Sequence, residues 1–474
     1  MMHGSTGTGA AEPVDPAMGG GFGGVQVPGD RRPGRRAGDE ADREPDLAEP
    51  HQGGGAPDVA SEPLVDVHVD LAAGRVGQSG GAVKTRRARS LGGDMAMAIA
   101  ARGRAVRAVL LQHSWVVLVL WSLGWALFHV ADHGWSWHFL VTGSEALFSS
   151  SGLDLYVQHP ELQMGPITFI VGAPFALFPL AAAGEAAAMV FILIIGLLVV
   201  RELKGIVGGD TEVGTRLWFG SSLVVMLVWT ELAVHWVHLD DALALLCTMV
   251  GLRLVRSGRV LMSAVVLGLA VDFKPWALPF VAIVLIAPRR QWVPAALVWV
   301  AVVALAWAPF VIAFPDTVHV AAFSIPVDPA STLHVFGAVD GTPAWCRYAQ
   351  LLGGLAVAVL AVARGRWASV LLVVIALRML LDPATKTYYE AGLMVGTAVF
   401  DLAWAASAFP IVTVSAFVAV YLPDYAIANA PMVRGMERTA ALVALIAVGL
   451  LLPRHATRDD LRRIAPSDTP EPSR

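Results

Sequence analysis

The stretch VPAALVWVAVVALAWAPFVIAF, residues 293–314, carries no charged side chain and no polar face. A helix on the surface of a water-soluble domain has a polar side opposite an apolar stripe. One that is apolar all round belongs in a packed core or in lipid. The run is also long enough, at roughly 20 residues, to cross a bilayer as a helix. Comparable runs recur at 109–131, 217–234 and 351–362. A single run fits a buried core helix, whereas a series of them is the pattern of a polytopic membrane protein. The expected fold class is all-α, a transmembrane helical bundle of about 11–13 spans.

Composition points the same way. Of 474 residues, 56% are hydrophobic and 15% charged, against about 25% charged in soluble domains. The formal net charge of -4 averages polar tails against apolar spans. No basic patch of the kind that binds nucleic acid stands out. Cys247 lies in an apolar run and Cys346 near the end of one, so neither a disulfide framework nor a cysteine metal site is expected.

Charge is dense at the two ends of the chain. Residues 1–105 are rich in Gly, Pro, Asp and Arg without periodicity, which predicts a disordered cytoplasmic tail. No apolar segment follows the N-terminus closely, so no cleavable signal peptide is expected. Met95 and Met97 precede a basic stretch and the first apolar run and mark a candidate alternative start. N-terminal sequencing of the native protein tests that start. The membrane domain is expected over 106–453, with a cytoplasmic tail over 454–474.

Orientation follows from the basic residues. Arg102, Arg104 and Arg107 flank the first run, and the positive-inside rule puts them in the cytoplasm. No Lys or Arg then occurs until Arg201, so 132–164 reads as a loop on the outer face. Placing the later basic clusters inside leaves 235–241, Lys274, 315–344, 382–386 and 423–434 outside. The expected location is the plasma membrane, multi-pass, with cytoplasmic termini and an active site on the outer side. Two segments are ambiguous. Residues 166–200 are long enough for two tight helices, but the charge rule favours one tilted span, or a span plus a re-entrant piece. Residues 260–287 are interrupted by Lys274-Pro275 and read as two short helices meeting near Lys274.

The first outer loop carries acids, histidines and aromatics and no cation. That suits a pocket in which a carboxylate or imidazole accepts a proton from a hydroxyl and aromatic rings stack on sugar faces. Asp132 is the candidate base, with His138 and Asp154 as competitors. Trp135, Trp137, Tyr156, His159 and Glu161 are candidate acceptor or sugar contacts. A solvated interfacial acid beside an aromatic belt is the plainer alternative. A second outer cluster runs from His235 to Asp241; His238, Asp240 and Asp241 are also candidate sugar contacts, and helix capping by Asp240 or Asp241 is the structural alternative. Its two histidines and two acids are close enough to hold a metal, but His235-x-x-His238 is not a strong metal spacing. No metal is expected there.

Lys274 stands between apolar flanks, and charges at membrane depth mark function by default. It is the first candidate ligand for a donor phosphate, with a local pair to Asp272 as its structural alternative. Arg378 and Lys386 are further phosphate candidates, with an Arg378–Asp382 pair and snorkelling as alternatives. The loop 324–347, with Asp328, His334 and Asp340, has the length of a lid.

In chain order these parts are a span, an outer loop with an early Asp132, Leu155-Tyr156 ahead of the Gly165-Pro166 helix, the turn His238-Leu239-Asp240-Asp241, and then Gly268 to Trp276, GLAVDFKPW. That order resembles the GT-C superfamily of membrane glycosyltransferases, and within it glycosyltransferase family 87, the PimE-like mannosyltransferases of actinobacteria. The resemblance covers roughly 109–452. It implies an inverting, metal-independent transfer without cofactor, from a polyprenyl-phosphate sugar to a glycolipid or polysaccharide acceptor beside membrane lipid. Mannose or arabinose is the implied sugar. Asp132 matches the expected base most simply, although His133-Gly134-Trp135 follows it where relatives carry a hydrophobic or aromatic pair. Gln163-Met164-Gly165-Pro166 also stands where a Tyr-Pro-Pro turn is common. A transporter or lipid flippase is the rival reading, because a broken helix with a midplane charge is also transporter grammar. A non-catalytic relative is the third.

Overall fold

The structure is a computed structural model that describes residues 102–103, 105–206, 211–404 and 407–452. These belong to one unit, Gly80–Arg474; the other unit, Met1–Ser79, lies outside the described residues. The expected disorder of the N-terminal tail and the expected tail at 454–474 fall outside the described residues as well.

Helices and turns make up the described residues, with no strand among them, as the all-apolar runs predict. Four helices are long and apolar enough to cross a membrane: Ala181–Lys204, Glu212–His235, Arg289–Ala313 and Cys346–Ala363. A fifth results if Ala105–Gln112 and Ser114–His129, bent by 82°, count as one span. This is fewer than the 11–13 expected, because apolar sequence is not always continuous helix. Val260–Phe273, Pro275–Ile286, Trp367–Leu380 and Ile411–Ala426 are apolar but shorter. Leu239–Arg256 and Pro431–Leu451 have the length but carry several charges, among them Asp240, Asp241, Arg434 and Arg438.

The two ambiguous segments resolve differently. Residues 166–200 form a short helix, Pro166–Ala176, followed by the long Ala181–Lys204. Eleven residues rise roughly 16 Å, about half of a 30 Å hydrocarbon core. The segment is therefore one full-length helix preceded by a half-length piece. Residues 260–287 form Val260–Phe273 and a 3-10 helix, Pro275–Ile286, which meet at Lys274 as expected.

Burial separates an inner set of helices from an outer set. Every residue from Tyr389 to Leu402 is buried. Gly396 lies against the backbone of Leu372, where an added Cβ would sit 2.8 Å from the amide nitrogen; a small residue lets two helices approach this closely. Trp292–Ala313 is the opposite case. Only Ala295 and Phe310 of that helix are buried, while Leu305 and Ile312 are 81% and 80% exposed. Apolar side chains exposed over most of a helix are stable where lipid surrounds them.

The break at Lys274 is built rather than loose. Lys274 has an extended backbone, φ -145° and ψ 112°, and Pro275 cannot continue the preceding helix. The Phe273 carbonyl accepts hydrogen bonds from the Gly165 N–H at 2.8 Å and the Thr168 hydroxyl at 2.9 Å. A Cβ on Gly165 would stand 1.9 Å from the Asp272 carbonyl oxygen. Only glycine fits there. The Gly165-Pro166 step thus clamps the broken helix.

Candidate functional site

Three polar clusters that are far apart in sequence meet. The link begins with backbone. The N–H groups of Gly134, Trp135 and Ser136 donate to the carbonyls of Val234, His235 and Trp236 at 3.2, 3.1 and 3.1 Å. The first loop is therefore laid along the turn that follows Glu212–Thr230. That turn is a π-helical stretch, Glu231–His235, a form often found at functional sites. It ends at Val237, whose φ of 56° lies in the left-handed region. A β-branched residue there is strained, and such strain persists only where the surroundings impose it. The reversal starts the next helix at Leu239, with Asp240 and Asp241 in its first turn, where the helix dipole favours anions.

The deeper half of the site is a closed charge network. The Lys274 ammonium donates to Asp240 Oδ2 and lies 3.5 Å from Asp241 Oδ2. His238 Nδ1 is 3.1 Å from Asp240 Oδ1 and 3.4 Å from Asp241 Oδ2. Trp276 Nε1 donates to Asp241 Oδ1 at 2.7 Å. The sequence-based partner for Lys274 was Asp272; the fold instead supplies Asp240 and Asp241, and Asp272 Oδ1 is buried without a hydrogen-bond partner. Arg378 is held between the rings of Trp276, at 4.6 Å, and Tyr389, at 4.2 Å. Its guanidinium is 3.9 Å from Asp382, the pairing anticipated as its structural alternative. Tyr388 stacks on His238 with centroids 3.8 Å apart. Burial, with Tyr389 and Asp241 nearby, pushes the Tyr388 phenol well above its ordinary value, so it stays neutral.

The shallower half is more open. Asp132 is 64% exposed, accepts a hydrogen bond from Trp135 Nε1 at 2.6 Å and faces His235 Nδ1 at 3.6 Å. Trp135 stacks on His235. Lys386 places its ammonium over the Trp236 ring, 5.3 Å from the centroid. Trp236 Nε1 donates to Thr387 Oγ1 at 3.0 Å, and that hydroxyl donates to Glu231 Oε2 at 3.2 Å. Glu231 Oε1 accepts from Tyr421 at 3.1 Å and also from Tyr425.

The remaining candidates have other surroundings. His138 is exposed, and its ring contact is with neighbouring Phe139. Asp154 accepts from Gln158 at 3.4 Å. Trp137 packs against the apolar core. Tyr156 is buried, donates to the Met164 carbonyl at 2.9 Å and stacks on Trp307, which is a structural role. His159 and Glu161 pair with each other at 3.1 Å. Asp328 accepts from the Thr385 hydroxyl at 2.6 Å and donates its N–H to the Pro383 carbonyl at 2.8 Å, which ties the 324–347 loop to the third cluster.

Glu231 and His129 have no role in the sequence reading, and Trp276 enters it only as the end of GLAVDFKPW. Glu231 has a usable signal, an acid inside the apolar run 217–234, which is the same criterion that singles out Lys274. His129 has none, since only folding joins the end of the first helix to the π-turn, and His235 is read with His238, Asp240 and Asp241 and not with His129 and Glu231. Among the described residues, two groups bring potential metal-ligand atoms within 4.8 Å of one another: His129, Glu231 and His235, and His238, Asp240 and Asp241. The Lys274 ammonium already occupies the second as its cation. No protein-family model matches the chain, and neither a curated protein nor a solved structure matches it significantly.

Proposed function

We propose that the chain is a membrane-embedded glycosyltransferase. It moves a sugar, mannose or arabinose, from a polyprenyl-phosphate donor to a glycolipid or polysaccharide acceptor of the cell envelope, at the outer face. The observation that carries the reading is the pairing of 134–136 with 234–236. It brings a carboxylate, an imidazole and two indoles from two loops together, and Lys386 over the Trp236 ring adds an ammonium from a third. In this reading Asp132 accepts the proton of the acceptor hydroxyl. The freed oxygen bonds to the anomeric carbon, the bond from that carbon to the phosphate oxygen breaks, and polyprenyl phosphate leaves. Lys386 balances the charge that develops on the phosphate. Lys274 and Arg378, already paired with Asp240, Asp241 and Asp382, support the pocket from beneath. Trp135 and Trp236 offer faces for sugar rings.

The closed pairing at Lys274 also bears on the transporter reading. That reading starts from an unpaired charge in a broken helix, and this ammonium is already engaged by two carboxylates. The test supplies membranes holding the full chain with labelled polyprenyl-phosphate sugar and envelope lipid extract, and follows label into new lipid or polymer. The wild type is expected to transfer label, and Asp132→Asn to transfer it at least ~100-fold more slowly. Full transfer by Asp132→Asn sinks the assignment of the base. Movement of the intact donor between leaflets with no new product turns the reading towards transport.

A further inference from the structure

A buried polar group lies beside Asp132. His129 sits at the end of Ser114–His129 and is only 7% exposed. Its Nε2 is buried without a hydrogen-bond partner. That nitrogen points at Glu231 Oε1 from 3.8 Å, and Glu231 is 1% exposed. His235 completes the group, and the three ligand atoms lie within 4.8 Å of one another. A buried imidazole nitrogen with no partner is costly, and here it is aimed at a carboxylate and a second imidazole.

We infer that His129, Glu231 and His235 bind a divalent transition-metal ion, with Zn²⁺ as the first candidate. Two imidazoles and one carboxylate are a familiar donor set for a site that keeps one coordination position open. Around a tetrahedral ion with bonds of 2.0–2.1 Å, neighbouring donor atoms stand roughly 3.4 Å apart, so no pair within 4.8 Å needs to close by more than about 1.4 Å. The groups behind the ligands fit as well. Asp132 faces His235 Nδ1 at 3.6 Å, and carboxylates commonly orient ligating imidazoles. Tyr421, Tyr425 and Thr387 orient the Glu231 carboxylate through hydrogen bonds. The neighbouring group of His238, Asp240 and Asp241 is the internal contrast, because a lysine already neutralises it. The open position admits a water or a hydroxyl, whose proton a divalent ion loosens. The site does not rest on the glycosyl-transfer reading, and the resemblance to metal-independent enzymes does not lead to it.

The test needs no donor or acceptor. The full chain is purified in detergent, stripped with chelator and titrated with Zn²⁺ against a chromophoric competitor. Bound zinc is counted by mass spectrometry. One tightly bound ion per chain is expected. His129→Gln and Glu231→Gln are each expected to weaken binding at least ~100-fold, while His319→Gln, at an exposed histidine paired with Asp316, leaves it unchanged. Circular dichroism shows whether each variant keeps its helices. If a variant does not fold, Co²⁺ in the wild-type chain decides: an absorption spectrum of a low-coordinate nitrogen- and oxygen-ligated ion supports the site, and a spectrum like that of the aqueous ion overturns it. Absence of stoichiometric zinc, or equal weakening by His319→Gln, overturns it too. Transfer activity with no bound metal would separate the two proposals and leave the transferase standing.

Discussion

The two halves of the candidate site use similar residues in opposite ways. Below, Asp240, Asp241, Lys274 and His238 form a closed set in which each charge has an opposite neighbour. Above, Asp132 is exposed, His129 keeps an unpartnered nitrogen, and Lys386 lies over an indole. A buried charge on an apolar helix thus has two readings, and pairing separates them. A buried ion pair holds a fold in register, although it contributes little net stability. An incompletely satisfied acid or imidazole is free to exchange protons or ligands.

The largest expected effect breaks the closed half. Lys274→Met leaves Asp240 buried without its cation, and loss of about 3–5 kcal/mol of stability is expected, read as a drop in thermal unfolding temperature in detergent. Lys274→Met combined with Asp240→Asn is expected to regain most of it. A Lys274→Met protein that is stable but has lost donor binding would restore the phosphate-ligand role and erase the contrast.

Gly165→Ala tests the clamp beneath that half. Its Cβ meets the Asp272 carbonyl, so about 1–3 kcal/mol is expected to be lost, with increased protease sensitivity near 160–170. Unchanged stability means that the break at Lys274 is not held by the Gly165 segment. Trp276→Phe removes the donor to Asp241 while keeping a ring against Arg378; about 1–2 kcal/mol is expected, by the same unfolding measurement.

The smallest expected effect on stability sharpens the open half. Asp132→Asn changes an exposed group and is expected to shift stability by no more than about 0.5 kcal/mol, even though transfer falls. A large loss of stability there would place Asp132 with the structural charges and not with the chemistry.

Much of this was readable along the chain. Residues 293–314 predict an apolar helix without a polar face, and that helix is the most outward-facing of the long ones. The Lys274-Pro275 break is where a proline after an apolar run puts it. Asp132, Asp240, Asp241, Lys274 and Lys386 all belong to the gathered region. The number of full-length helices was less legible, because hydropathy records composition, whereas helix length also depends on proline, on local 3-10 geometry and on charges that find partners inside the bundle.

Side-chain chemistry taken a segment at a time already dictates a helical chain with helices apolar enough to cross a membrane and an acidic, aromatic first loop. Partnership is settled only by the fold. Lys274 chose Asp240, 34 positions away, over Asp272, two residues away, and His129 came to face Glu231 across more than a hundred residues. Local spacing cannot report such pairs. They arise because polar groups buried among packed helices must find each other wherever the chain brings them.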